Sequence, residues 1–370
     1  MSATVATRPL WLGAPSPGGL ALPAAQPTRT QFYAPRGLWF DDERLVVADS
    51  GNHRLLLWYG LPESAGTPAD IVLGQPNATS EGPRAGGRGP ENGFHLPTGV
   101  AVYGGRLFLA DAWHHRILVW ERLPRRDDQP PDWVLGQPSL AAVEPNRGGP
   151  VSAVGLYWPY GVAVVAGNLW VTDTGNRRVL GWFGVPEFDR PADVVLGQPD
   201  FSQADENRGG APSASSFRWP HGVAAAGGAF YVADAGNHRV LGWPALPRRD
   251  EPADRLLGQR DFGTAFESQY QPQSATSLRF PYAVAGDGER LLVADTANNR
   301  VLLWPGAPTT GTPAVRVFGQ DDLVANGENR WREVRHDSLC WPYGLWLHGD
   351  LLGIADSGNN RVLLWPLAEL

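Results

Sequence analysis

The 370-residue chain is 42% hydrophobic and 19% charged, with a formal net charge of −7, which excludes a disordered polypeptide and offers no net basic surface for nucleic acid. All 31 basic residues are arginine, so lysine Schiff-base chemistry and the lysine of a phosphate-binding loop are excluded. The single cysteine, Cys340, excludes an intramolecular disulfide framework and a cysteine metal cluster, and is consistent with a reducing, cytoplasmic setting.

The chain opens MSATVATRPLWLGAPSPGG, without a basic segment leading into an apolar one, and no later run reaches the ~18 apolar residues of a membrane span. The expectation is a cytoplasmic protein; its lysine-free usage points to a high-GC bacterial genome. Leu10 to Pro15, LWLGAP, reads as a short strand standing apart from the rest of the chain.

From Pro35 onward one unit recurs six times. Its core reads ADSGNHRLLLW, ADAWHHRILVW, TDTGNRRVLGW, ADAGNHRVLGW, ADTANNRVLLW and ADSGNNRVLLW. Asp49, Asp111, Asp173, Asp234, Asp295 and Asp356 follow one another at steps of 62, 62, 61, 61 and 61 residues. The prolines that open each unit as P-x-G or P-x-A keep the same steps, from Pro35 to Pro342, as do the tryptophans from Trp58 to Trp365.

Within the third unit GVAVV, NLWVTD, RRVLGW and DVVLGQ are short runs rich in Val, Leu and Trp, bounded by Gly, Pro, Asn or Asp, which predicts four strands. Six such units must stack to bury their faces, and radial closure leaves only short edges. The sixth unit stops after its third strand and lacks the VLGQP-type strand that the other five carry at Gln75, Gln137, Gln198, Gln259 and Gln320. The expected fold is therefore an all-β, six-bladed propeller of four antiparallel strands per blade, filling residues 1–370 as one domain. Residues 9–15 complete the blade formed by 342–370 and remove two open edges.

The D-x-G-N-[HNR]-R and P-x-G-[VL] motifs resemble those of the NHL-repeat β-propeller family, across essentially the whole chain. The resemblance implies the fold; for function it implies that bacterial proteins of this appearance accompany multicomponent enzyme systems, including metalloenzyme assembly. Fold analogy alone does not assign activity.

A feature present in every blade builds the blade, whereas a binding site on a ring occurs once. By this rule the repeated aspartates, arginines, tryptophans and glutamines are framework, each arginine pairing with an aspartate to tie down its turn. The turn that Asp and Asn favour tolerates left-handed geometry.

The x residues of P-x-G vary: Arg36, Thr98, Tyr160, His221, Tyr282 and Tyr343. They are expected to ring one mouth of the central channel, where they could take an anionic or aromatic small molecule by charge, hydrogen bonding and stacking. The ring has no carboxylate for a hard cation and one histidine only. G-x-S-x-G, H-E-x-x-H and Gly-rich phosphate motifs are absent, so no residue is assigned as catalytic and no cofactor or metal is expected. His95, His114 and His115 form an imaginable zinc or copper cluster, set against a polar surface turn carrying a packed Trp113.

Arginines mixed with acids, as in RLPRRDDQPPD, argue against nucleic acid. About twenty residues separate each LGQ from the next P-x-G, long for compact-domain connections. The likeness of EPNRGG and ENRGG in two of these loops reads as shared packing. The last loop differs most, with Trp331, Arg335, His336 and Cys340, and with Trp113 it is the expected contact for a protein partner. The functional expectation is a non-catalytic binding or scaffolding propeller. The alternative is a ligand-binding or lyase- or hydrolase-type enzyme with its site at the channel mouth.

Overall fold

The computed structural model describes residues 9–13, 25–268 and 272–367. Among them six four-stranded antiparallel sheets follow one another around a ring. In the third blade the strands are Pro159–Val165, Asn168–Asp173, Arg178–Trp182 and Val194–Leu196, hydrogen-bonded in that order from the axis outward. They coincide with the four apolar runs of the sequence, whose β-branched and aromatic residues pack well on a pleated surface. Ala166 and Gly167, both at positive φ, make the tight turn between the first two strands.

Each core lies between two blades. Trp170 and Val179 of the third blade pack with Phe230 and Val232 of the fourth, and the repeated tryptophans of the first five blades are buried with their indole N–H bonded to a carbonyl, as Trp182 is to Arg190 at 3.1 Å, while Trp365 of the sixth is half-buried. A blade cannot bury both of its faces without neighbours, which is why the ring must close.

Closure uses the two ends of the chain. Leu10–Gly13 pairs antiparallel with Arg361–Pro366, Leu12 opposite Val362, as the outermost strand of the sixth blade. Leu12 then joins Leu38, Phe40, Val362 and Leu364 in the core between the sixth and first blades. Ala14 and Pro15 of the expected closing segment lie outside the described residues.

The repeated aspartate and arginine form one buried hub per blade. Arg178 Nε donates to Asp173 Oδ2 at 2.7 Å, and its two terminal nitrogens donate to the carbonyls of Phe201, Ser152 and Gly155 in the inter-blade loops. Asp173 also accepts from the Tyr157 amide and from Asn176. The other five blades carry the same pair at 2.6–2.8 Å, fully buried. Each repeated glutamine clamps the turn to the loop beyond it, as Gln75 does by donating to the carbonyls of Asn52 and Gly82.

Candidate functional site

The innermost strands reach the axis through a bulge at P-x-G. Pro159 pairs with Asp173 but Val162 with Val171, so one residue is extra at Tyr160–Gly161 and the Tyr160 side chain is re-aimed. The glycine is required by close approach: a methyl group on Gly161 would overlap the carbonyl of His221, and one on Gly37 that of Thr98. The x side chains are thereby brought together around the axis.

Arg36, Tyr160, His221, Tyr282 and Tyr343 line a channel cavity of about 260 Å³. Tyr160 and His221 are 4.3 Å apart between ring centroids, His221 and Tyr282 4.2 Å, and Tyr282 and Tyr343 4.7 Å. Arg36 lies over the Tyr343 ring at 4.9 Å. The rings pack on each other and form a continuous collar. Trp158 meets His221 edge-on at 5.9 Å, and Trp341 stacks on Tyr343 at 6.5 Å.

Thr98 departs from the expected ring. It is fully buried, its hydroxyl donating to the Tyr160 carbonyl at 2.7 Å, because a short β-branched side chain cannot span to the axis but can tie the second blade to the third. Its sector is closed by Arg36, whose charge reaches both Tyr160 and His221.

His221 Nδ1 lies 2.7 Å from the Trp219 carbonyl, which places the ring proton there and leaves Nε2 as a lone pair. Burial pushes its pKa down to about 3, and Arg36 acts in the same direction. Burial raises Tyr160 well above the usual tyrosine range and pushes Tyr282 up to about 12. At neutral pH the collar is therefore three phenols, a neutral imidazole and one guanidinium. His221 Nε2 and Arg36 Nε are buried without a hydrogen-bond partner, and the Tyr160 hydroxyl has none but the Arg36 guanidinium beside it.

Among the described residues the histidines of the second blade form no group that could hold a metal ion, although His95 and His114 touch. His114 is fully buried and takes the place of the turn asparagine, its Nδ1 2.9 Å from Asp111 Oδ2. Burial pushes Asp111 up, but Arg116 and then His114 outweigh it and its net shift is downward. His115 turns to the next blade, its Nδ1 accepting from the Trp158 amide at 3.0 Å. His95 meets His53 and His114 edge-on and Trp113 at a tilt, at 5.4–5.5 Å between ring centroids. Trp113 is not packed in: at 54% exposure it projects from the mouth face beside His95, its amide 3.1 Å from the His95 carbonyl where the glycines of the equivalent turns approach to 2.7–2.9 Å.

Trp331 is 80% exposed and Arg335 exposed, whereas His336 sits edge-on to Trp11 of the closing strand at 5.3 Å. The Arg335 carbonyl is framework, accepting from Arg361. The last loop differs less than its sequence: Asn329 and Arg330 adopt the same left-handed pair as Asn146 and Arg147 and as Asn207 and Arg208. Each asparagine bonds the turn asparagine of its blade, Asn359, Asn176 and Asn237, and the arginines pair with Asp337, Asp189 and Asp250, which accounts for the shared Asn-Arg pair.

Two features escaped sequence reasoning. The residue after each turn asparagine is left-handed, and where it is His or Asn it accepts from the amide preceding the next P-x-G, as Asn299 does from Trp341. Ser50 and Ser357 donate across the same junction to the Pro97 and Pro35 carbonyls. Their signals were the polar residue that closes each turn motif and the hydroxyl that follows aspartate in four of the six units.

The NHL repeat family model matches residues 217–243. The human protein "NHL repeat-containing protein 2" is 23% identical over 349 residues, covering 88% of this chain, which itself spans 45% of that relative's length. Among solved structures, a structural genomics protein of unknown function from Bacteroides thetaiotaomicron VPI-5482 has a TM-score of 0.51 at 12% identity, covering 96% of this chain and 73% of that one, and shares the fold. Virginiamycin B lyase from Staphylococcus aureus has a TM-score of 0.47 at 10% identity, covering 91% and 96%.

Proposed function

This chain is a six-bladed NHL-repeat β-propeller, and from that premise we propose that it is a non-catalytic protein-binding platform whose partner docks on the mouth face. The observation that carries the reading is a set of exposed aromatics there: Tyr33, Trp113, Tyr157, Phe266, Trp331 and Trp341. Aromatic side chains that protrude from a rigid frame are favoured as binding anchors. The long inter-blade loops that bear several of them are held by the arginine hubs, so little order remains to be lost on docking.

No helix among the described residues is long and apolar enough to cross a membrane. A cytoplasmic, bacterial setting and a role as accessory factor to a multicomponent enzyme system belong to the same proposal, supported by the lone buried Cys340 and by the family resemblance. The test is co-purification from the native host with wild type, a Trp113→Ala/Trp331→Ala/Trp341→Ala variant and a Phe188→Ala variant of the opposite face. A stoichiometric protein partner lost only by the triple variant is expected. Retention by the triple variant, or loss through Phe188→Ala alone, overturns the mouth-face reading.

A further inference from the structure

We propose that the axial collar is a binding site for a small monocarboxylate, held by Arg36 and the tyrosine hydroxyls; this does not rest on the platform reading. Every buried hub arginine lies on an aspartate, but Arg36 lies on the face of Tyr343 and its Nε has no partner. The charged groups that bear on Tyr160, His221 and Tyr282 reduce to Arg36 and neighbouring phenols, with no acid among them. A guanidinium in such surroundings lacks the anion that its planar fork of donors fits.

Two further observations point to a ligand. Tyr160 is 4% exposed, and its hydroxyl, beside the Arg36 guanidinium, has no acceptor for its proton, an expensive arrangement unless something fills the site. Below them the innermost strands present their open edges to the cavity, so its wall alternates backbone polar groups with small side chains such as Val164, Ala225 and Ala285. A cavity of about 260 Å³ with that wall suits a body of a few carbon atoms.

The collar also sets the charge. One guanidinium and phenolic O–H donors match the two oxygens of a carboxylate. His221 presents only a lone pair at Nε2, so it takes no part in holding the carboxylate and opposes negative charge on its own side of the collar; dicarboxylates and phosphate dianion are therefore disfavoured against a monoanion held at Arg36.

The experiment is titration of the full chain, by calorimetry or carbon NMR of the ligand, with propionate and with its neutral isostere propionamide, alongside succinate and inorganic phosphate. Saturable one-to-one binding of propionate is expected, at least tenfold tighter than propionamide, succinate or phosphate. Arg36→Gln should weaken it at least tenfold with an unchanged melting temperature, and Tyr343→Phe, which keeps the ring under Arg36, should weaken it severalfold. Should Arg36→Gln fail to fold, Tyr343→Phe and Tyr282→Phe decide the matter alone. Absence of propionate binding, propionamide or phosphate binding as tightly, or unchanged affinity in these variants overturns the proposal.

Discussion

His53 Nδ1 accepts a hydrogen bond from the Leu96 amide at 3.0 Å, joining the turn of the first blade to the start of the second. His115 and His238 do the same for Trp158 and Phe280, and Asn360 does it for Ala34 across the ring closure. Each latch needs an acceptor, so the three histidines must be neutral.

Burial accordingly pushes His53, His115 and His238 down to about 4, with His95 adding to the effect on His53 and His114 to that on His115. The unfolded chain, with histidines near 6.5, binds more protons than the folded one between those values, so stability rises with pH there. The contribution is complete above about pH 6.5 and is lost as pH falls toward 4. Melting temperature should decline over that window. In a His53→Asn/His115→Asn/His238→Asn variant, which copies the asparagine latches of the last two blades, the decline should be shallower; an unaltered slope counts against the latch.

The hub arginines make a second expectation. Asp173→Asn leaves Arg178 buried at the same place without its counter-charge, and breaking a buried pair from one side costs about 3–5 kcal/mol. Asn176→Ala removes a neutral donor to the same carboxylate together with the pairing to Asn146, and should cost about 1–2 kcal/mol. Urea unfolding midpoints of the two variants separate these cases; equal losses would mean that the ion pair adds nothing beyond a hydrogen bond.

Ring closure gives a third. Leu12 is 2% exposed between the sixth and first blades, and Leu12→Ala should cost about 2–5 kcal/mol. Removing residues 1–15 bares the edge of Arg361–Pro366, an unpaired template for another chain. Size-exclusion chromatography should then show oligomers or aggregate, and a monomer with an unchanged melting temperature would show that closure does not depend on this strand.

How much a sequence reveals depends on where the constraint acts. Asp173, Arg178 and Trp182 recur because each blade must satisfy its own turn, and a constraint imposed six times is visible as a period. The P-x-G motif that carries Tyr160, His221 and Tyr282 was legible for the same reason, whereas the bulge within it shows only in the strand register. Thr98 was misjudged because the axial ring needs reach, which position in a repeat does not convey. The His53 and His115 latches were hidden because their partners lie 43 residues on, across a blade boundary, and because His, Asn and Arg share that column. Trp113 reads in the sequence both as a packed residue and as a partner contact; the glycines of the equivalent turns lie so close to a carbonyl that an added methyl would overlap it, and the second blade admits a tryptophan where its amide stands back to 3.1 Å from the His95 carbonyl.

Where glycine is required, the inner strands make a graded test. An added methyl at Gly161 overlaps the His221 carbonyl outright, and Gly161 also donates to Thr172 Oγ1, which itself donates to that carbonyl at 2.9 Å. At Gly222 the nearest atom, the Tyr282 carbonyl oxygen, is 3.1 Å away, and the fifth blade already carries Ala283 at the same position. Gly161→Ala should therefore force the third and fourth blades apart at the axis, at the about 1–3 kcal/mol typical of overpacking, while Gly222→Ala should be close to neutral. Because Tyr160 and His221 flank that contact, Gly161→Ala should also disturb the collar, seen as a change in the tyrosine near-ultraviolet circular dichroism that Gly222→Ala does not produce. If Gly222→Ala proved the costlier of the two, close approach at the axis could not be what keeps glycine in the motif.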